Sequence, residues 1–257
     1  MRTRKSILVA IALLSIAVAP RIAASATFGA QVYGAFNTYS MKEPNQDIDF
    51  WNDNFVGAGL GLRTLDHISS GMTGGLEARV WATPSVMISA GWEPIFAESE
   101  SQGAVEVDVS GTTRTYFEHL RVNGDANLLG FSAAYFLPSR GKGKFGFGGG
   151  LDFVKMKGRL ESKATLDRPD SVLVDINGSL TGSGTGFHLA AMGEWSVSPG
   201  FGLGALLGYR SVKVSDTKLD DQPFNLISLT TNKTETDYSG IILRVGVLFY
   251  LGDGGGK

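Results

Sequence analysis

Apolar and polar positions alternate along much of this chain in segments of about ten residues, separated by connections that are in turn very short and long. A period of two sends neighbouring side chains to opposite faces of an extended segment, so each segment reads as a β-strand. Eight are expected: Phe28 to Tyr39, Met72 to Ala82, Val86 to Ala97, Asn127 to Leu137, Phe145 to Met156, Gly186 to Val197, Phe201 to Val212 and Tyr238 to Leu251. Tight turns are expected at Thr83-Pro84-Ser85, at Ser139 to Lys144 after Pro138, and at Ser198-Pro199-Gly200, because proline presets a turn dihedral and cannot donate to a ladder. Four polar stretches, Ser40 to Gly71, Glu98 to Ala126, Lys157 to Thr185 and Lys213 to Asp237, are expected to be long loops.

The two faces differ in kind. Phe201, Leu203, Ala205, Leu207 and Tyr209 share one face of the seventh segment; Gly202, Gly204, Leu206, Gly208 and Arg210 share the other. The remaining segments repeat this. Every charged residue in the membrane portions of these segments, namely Glu77, Arg79, Glu93, Asp152, Glu194, Arg210 and Arg244, falls on the glycine-bearing face. A soluble half-buried sheet also alternates, but its wet face normally carries Lys, Thr, Glu and Asn rather than repeated glycine. An Arg or Lys facing lipid at the bilayer midplane costs about 2–4 kcal/mol, so the uncharged apolar face suits a lipid-facing wall. The expected fold is all-β: an up-and-down antiparallel transmembrane β-barrel of about eight strands, with long extracellular loops and short periplasmic turns. Aromatics on the apolar face gather at two levels, Phe145, Trp195, Phe201 and Phe249 near the short turns and Phe36, Phe96, Phe153 and Tyr209 near the long connections, as two interfacial girdles would.

Composition supports export. Arg2, Arg4 and Lys5 precede an apolar run from Ile7 to Val18, and Ala24-Ser25-Ala26 offers a cleavage site before Thr27. Residues 1–26 are therefore expected to be a cleaved signal peptide, 27–251 the barrel and 252–257 a flexible C-terminal tail. The apolar run is shorter than the ~20 residues a spanning helix needs, and no long apolar stretch follows, which excludes a helical membrane protein. The chain has no cysteine, so neither a disulfide scaffold nor a lipidated cysteine is available. Net charge is -2, and the leader holds four cations and no anion, so the rest is more acidic still. No basic patch points to nucleic acid.

Charges of both signs inside a narrow barrel must be paired, so Glu77, Arg79, Glu93, Asp152, Glu194, Arg210 and Arg244 are expected to form a lumen polar network, acting as a structural plug or as the lining of a narrow polar path. Inward glycines at 146, 148, 150, 202 and 204 leave space that Trp81, Phe136 and Tyr250 are expected to fill. In the first long connection Ile48, Trp51 and Phe55 recur at helical spacing, consistent with a short amphipathic helix acting as a lid or resting on the lipid interface. Metal and cofactor chemistry find no support: His67, His119 and His188 have no ligand spacing, and Gly146 to Gly150 lacks the helix start and Lys-Ser/Thr of a phosphate loop.

The terminal segment, with Arg244, Gly246, Phe249 and Leu251, resembles the assembly signal that outer-membrane barrels present to the barrel-assembly machinery, except that 252–257 follow it. With the eight segments, the chain resembles the class of small barrels that includes OmpA-like and OmpW-like proteins. The resemblance implies location in the bacterial outer membrane, with its lipids and lipopolysaccharide as partners. The expected function is passive passage or binding of small solutes, with a small hydrophobic ligand implied by the resemblance to OmpW-like barrels; the alternative is a closed structural or surface-interaction barrel acting through its extracellular loops. Enzymatic resemblances are slight. His67-Ile-Ser69 is similar to the His-x-Ser element of outer-membrane lipid A deacylases but lies in a loop, and Asp220-Asp221 is similar to the acidic pairs of outer-membrane proteases but has no histidine in its loop, so no enzyme is expected.

Overall fold

In the computed structural model, residues 27–53, 64–167, 172–220, 222–223 and 235–251 are described. The expected signal peptide 1–26, the expected tail 252–257 and Phe55 lie outside the described residues. Strands β1 (Thr27–Thr38), β2 (Ser70–Thr83), β3 (Val86–Ile95), β6 (Ala126–Phe136), β7 (Gly143–Leu166), β8 (Val172–Ser198), β9 (Phe201–Leu219) and β12 (Gly240–Leu251) pair antiparallel in the ring order β1-β2-β3-β6-β7-β8-β9-β12. The last strand closes on the first in a continuous register from Phe28↔Leu251 to Asn37↔Ile242. Closure removes every sheet edge at this level, which a structure bathed in hydrocarbon requires, since an unpaired backbone group there costs several kcal/mol.

Outside the ring lie the helix α1 (Lys42–Trp51), the hairpin of β4 (Glu98–Val109) and β5 (Thr112–Asn123), and the short β10 (Gln222–Pro223) and β11 (Thr236–Asp237). At the opposite end the connections are brief. Thr83 Oγ1 accepts from the amides of Ser85 and Val86 to close the first turn, and proline occupies each of the three turns as expected.

The outer wall is apolar. Phe28, Val32, Phe36, Leu76, Ile88, Trp92, Phe131, Phe147, Leu151, Phe187, Leu207, Val245 and Phe249 are all exposed, while Glu77, Arg79, Glu93, Asp152, Glu194, Arg210 and Arg244 are buried. From Phe28 to Phe36 the wall runs about 27 Å along the strand at ~3.4 Å per residue, or about 20 Å along the membrane normal at a tilt of ~40°, near the ~25 Å band of outer-membrane barrels. A closed ring with a greasy exterior, short turns at one end and long connections at the other is the architecture of a transmembrane barrel of the outer-membrane type.

Two expected loops are strands instead. Residues 98–126 contain the β4–β5 hairpin, whose turn at Ser110-Gly111 has positive φ at both positions (55° and 80°), the twist a two-residue hairpin favours. Residues 157–185 continue β7 and β8 as a ladder that extends to Thr165↔Val172, and β9 runs on to Leu219. The hairpin joins this extension through β5, from Asn123↔Arg159 to Tyr116↔Leu166. The ring therefore rises on one side into a tall sheet standing above the membrane. The physical cause lies in the side chains: above Phe153 the faces exchange roles. Lys155, Lys157, Arg159 and Lys163 point out while Met156, Leu160 and Ala164 are buried, a soluble pattern that polar content alone marks as loop.

Candidate functional site

Inside the ring, three layers fill the lumen. Nearest the short turns, Trp81, Met87, Phe136, Met192 and Leu206 form an apolar layer, with the Trp81 and Phe136 rings 4.7 Å apart. Tyr250 stands beside it, its hydroxyl donating to Glu194 Oε2 at 3.1 Å. These are the three aromatics that the inward glycines leave room for.

Above that layer sits the polar network. Glu93, wholly buried on β3, is its hub: it accepts from Asn37 Nδ2 at 3.0 Å, Tyr33 Oη at 3.2 Å, Arg210 Nη1 at 3.2 Å and Arg244 Nη2 at 2.6 Å. Arg244 reaches Glu77 (3.7 Å), which receives Arg79 Nε (2.7 Å); Arg79 Nη1 continues to Glu194 (2.6 Å) and Nη2 to Gln31 Oε1. On the other side Arg210 Nε lies 3.4 Å from Asp152. One chain of contacts thus joins all seven charged residues expected in the lumen. Four carboxylates face three guanidiniums, and Lys144, directly across the ladder from Glu194 and with its ammonium 5.0 Å from the Trp81 ring centroid, brings a fourth cation.

Several members carry no charge to mark them in the sequence. Tyr33 lies across Gly75, where an added Cβ would collide with the phenol, and the Arg244 guanidinium stacks on its ring at 4.7 Å. His188, isolated in the sequence, is held by Asp152 through Nδ1 (3.0 Å to each oxygen) and by Ser132 Oγ through Nε2 (2.9 Å). A serine, an imidazole and a carboxylate in sequence have the connectivity of a hydrolytic relay. Here they sit inside a packed barrel, and the backbone around Ser132 is committed to ladders with its neighbours, from Ser89↔Ser132 to Ser132↔Gly150. What the cluster does is tie β6, β7 and β8 together.

The third layer, at the outer mouth, is apolar again: Tyr39, Met41, Ile95, Leu120, Leu128, Val154, Met156, Leu160, Leu180, Val212, Val214 and Tyr238 cluster with Ile48, Leu65 and Ile68. α1 covers this layer. It begins at Lys42, earlier than the Ile48-Trp51-Phe55 spacing suggests, and buries Ile48 with Trp51 half-buried beside it. No side chain caps its start. Met41, at φ 40°, is instead fixed by its amide bonding to Asp237 O and by a fully buried side chain. Two asparagines clasp the helix to the strap 64–69: Asn45 bonds both the amide and the carbonyl of Ile68 (2.8 and 3.2 Å), and Asn52 those of Leu65 (2.9 and 3.0 Å). Between lid and barrel a cavity of about 60 Å³ remains, lined by Met41, Ile48, Trp51, Leu120, Met156 and Leu160 among others.

Elsewhere, His67 pairs with Asp49 (2.7 Å) and His119 with Glu100 (2.9 Å), both exposed, and Asp220 Oδ1 accepts from the Ser179 amide. Asp221 lies outside the described residues. Arg244 and Gly246 of the terminal segment face the lumen, and Phe249 and Leu251 face out.

No family model matches this chain, and no curated protein matches it. Among solved structures, it is similar to a major outer membrane protein from Thermus thermophilus (13% identity, TM-score 0.47, 88% of this chain and 100% of that one). It is also similar to the outer membrane protein OprG from Pseudomonas aeruginosa (9%, 0.46, 88% and 96%) and to neisserial surface protein A (14%, 0.37, 88% and 98%).

Proposed function

We propose that this outer-membrane barrel is a non-conducting protein that binds a small apolar solute at its outer mouth. The observation that carries this reading is the apolar cavity held between α1 and the polar layer. At roughly 24 cal/mol per Å³, an unfilled apolar space of about 60 Å³ costs on the order of 1 kcal/mol, which a fitting solute recovers. The space is small, so a ligand of aromatic-ring size binds by displacing the lid, held on the strap by the Asn45 and Asn52 hydrogen bonds and the exposed His67–Asp49 pair. Conduction is disfavoured by the buried Glu93–Arg210 pair crossing the lumen.

The test is calorimetric titration of toluene into the barrel in lipid nanodiscs, alongside planar-bilayer recording. Saturable binding that Leu160→Phe weakens, with no reproducible conductance steps, is expected. Stepwise conductance, or heat no different from protein-free nanodiscs, would sink the idea. A second reading, contact with a partner through the tall extracellular sheet, is favoured by the one-sided rise of β4, β5, β7 and β8. Leu160→Phe separates the two, since it fills the cavity from within and leaves the outer surface of the sheet unaltered.

A further inference from the structure

The outward face of β7 changes abruptly from aromatic to cationic. Phe145, Phe147, Leu151 and Phe153 are followed by Lys155, Lys157 and Arg159, all exposed. Two residues of a strand tilted by ~40° climb about 5 Å along the membrane normal. Lys155 therefore stands about 5 Å above the last lipid-facing ring, at the depth of the polar headgroups, which add roughly 5–7 Å to each side of the hydrocarbon core, and Lys157 about 10 Å above it, at their outer margin.

These two lysines differ from their cationic neighbours. Arg159 pairs with Glu161 (3.2 Å), Arg121 with Glu98 (2.8 Å) and Lys213 with Glu235 (2.6 Å), but among the described residues no carboxylate lies within ion-pair distance of Lys155 or Lys157. Asn127 and Ser183 flank Lys155, and Thr181 faces Lys157, whose other neighbour, Asp125, accepts from the Lys157 amide through its carbonyl and holds its carboxylate on Ala97 N (3.2 Å) and Asn123 Nδ2 (3.0 Å). Asn127 Oδ1 already accepts from Trp92 Nε1 at 3.2 Å, leaving its amide nitrogen to donate. Directly below, Phe153 and, on β8, Phe187 present aromatic surface to acyl chains.

We propose that Lys155 and Lys157, with Asn127, Thr181 and Ser183, bind the phosphate of an acylated, phosphorylated glycolipid of the outer leaflet, whose chains run down the wall past Phe153 and Phe187. Unpaired ammoniums supply the charge, hydroxyl and amide groups supply neutral hydrogen bonds, and the depth of the site selects an anion attached to a membrane anchor. The site is on the outside of the barrel and is independent of the cavity under α1.

The test uses the protein purified in a non-ionic detergent and titrated with bis-phosphorylated lipid A, bound lipid being counted by native mass spectrometry. The double variant Lys155→Gln/Lys157→Gln is expected to weaken binding about tenfold or more, Lys155→Arg/Lys157→Arg to retain it, and Lys163→Gln, far above the membrane, to leave it unchanged. Removing both phosphates from the lipid should weaken binding to the unaltered protein equally and have little further effect on the Gln double variant. Equal retention of phosphorylated and dephosphorylated lipid, or a Gln double variant that binds normally, overturns the proposal. Binding of the deacylated headgroup as tight as that of lipid A overturns its assignment to a membrane lipid.

Discussion

The lower and upper parts of β7 are one continuous strand with opposite chemistry. Below Val154 its outward residues are Phe145, Phe147, Leu151 and Phe153 and its inward ones are glycines and Asp152; above, Lys155, Lys157, Arg159 and Lys163 face out and Met156, Leu160 and Ala164 face in. β8 and β9 change at matching levels, from Phe187 to Thr185 and Ser183 and from Tyr209 to Ser211 and Lys213, while the inward side passes from His188 and Arg210 to Leu180, Val212 and Val214. The ladder continues unbroken through the change, with pairs from Leu151↔Phe187 to Met156↔Gly182. Backbone geometry is therefore indifferent to which face is greasy; the surrounding solvent decides, and the level of exchange marks the outer edge of the hydrocarbon.

Breaking the polar interior of the lower part should have the largest effect. Glu93→Ala strips two buried guanidiniums of their shared carboxylate, and removal of one partner from such a network costs about 3–5 kcal/mol, so a clear fall in the urea midpoint of the vesicle-embedded barrel is expected. An unaltered midpoint would show the layer to be hydrated rather than closed. Next in size, Leu151→Arg places a cation against hydrocarbon and should cost about 2–4 kcal/mol, whereas Ser183→Arg, just above the exchange level, should cost less than about 0.5 kcal/mol. Equal penalties would move the membrane boundary. In the rim, Met156→Ala removes packing worth about 2 kcal/mol, and its effect should appear as faster amide hydrogen exchange in β5 and upper β7, with the lower ring still protected.

The smallest effect concerns pH. Burial pushes the Glu118 carboxyl of β5 upward, against a smaller opposing contribution from its hydrogen bond to Tyr116. An acid with a raised value in the folded state binds its proton more tightly there, so the rim should lose stability as pH climbs from the ordinary carboxylate range through the raised value, with no penalty below that range. Glu118→Gln should flatten hydrogen exchange across that window. A slope of the same size in the variant would assign the dependence to another group.

Much of the lower barrel was legible from sequence because lipid imposes a strict code. A period of two, charges confined to one face and proline in each tight turn located all eight strands of the ring to within a few residues where the membrane surrounds them. The same code misleads above the membrane. β7 and β8 keep their alternation through Leu160, Ala164 and Leu180, but with inverted polarity, so a template demanding an apolar outer face ends each strand too soon. The Ser110-Gly111 turn between alternating segments carried a hairpin signal that the polar content of 98–126 obscured. Within the lumen, charged residues identified themselves, since no charge tolerates lipid. Tyr33, Asn37, Gln31, Ser132 and His188 did not, because neutral polar groups stand on either face without penalty and only three-dimensional proximity reveals their partners. Ile48 and Trp51 announced a helix, but its clasp depends on Asn45 and Asn52 meeting backbone groups at residues 65 and 68, a long-range match no local pattern encodes.

The hairpin brings back something the closed ring had eliminated. β4 pairs with β5 on one side, and among the described residues no strand covers its other side. A free strand margin of this length is a template for recruiting a neighbouring copy, a danger heightened where molecules diffuse in two dimensions at high density. Glu98, Glu100, Glu106 and Asp108 stud this margin at alternating positions; the first two are paired with Arg121 and His119 of β5, so a second strand laid alongside would meet chiefly Glu106 and Asp108. Acidic side chains on an uncovered strand oppose its pairing with a second copy, without shortening or concealing the strand.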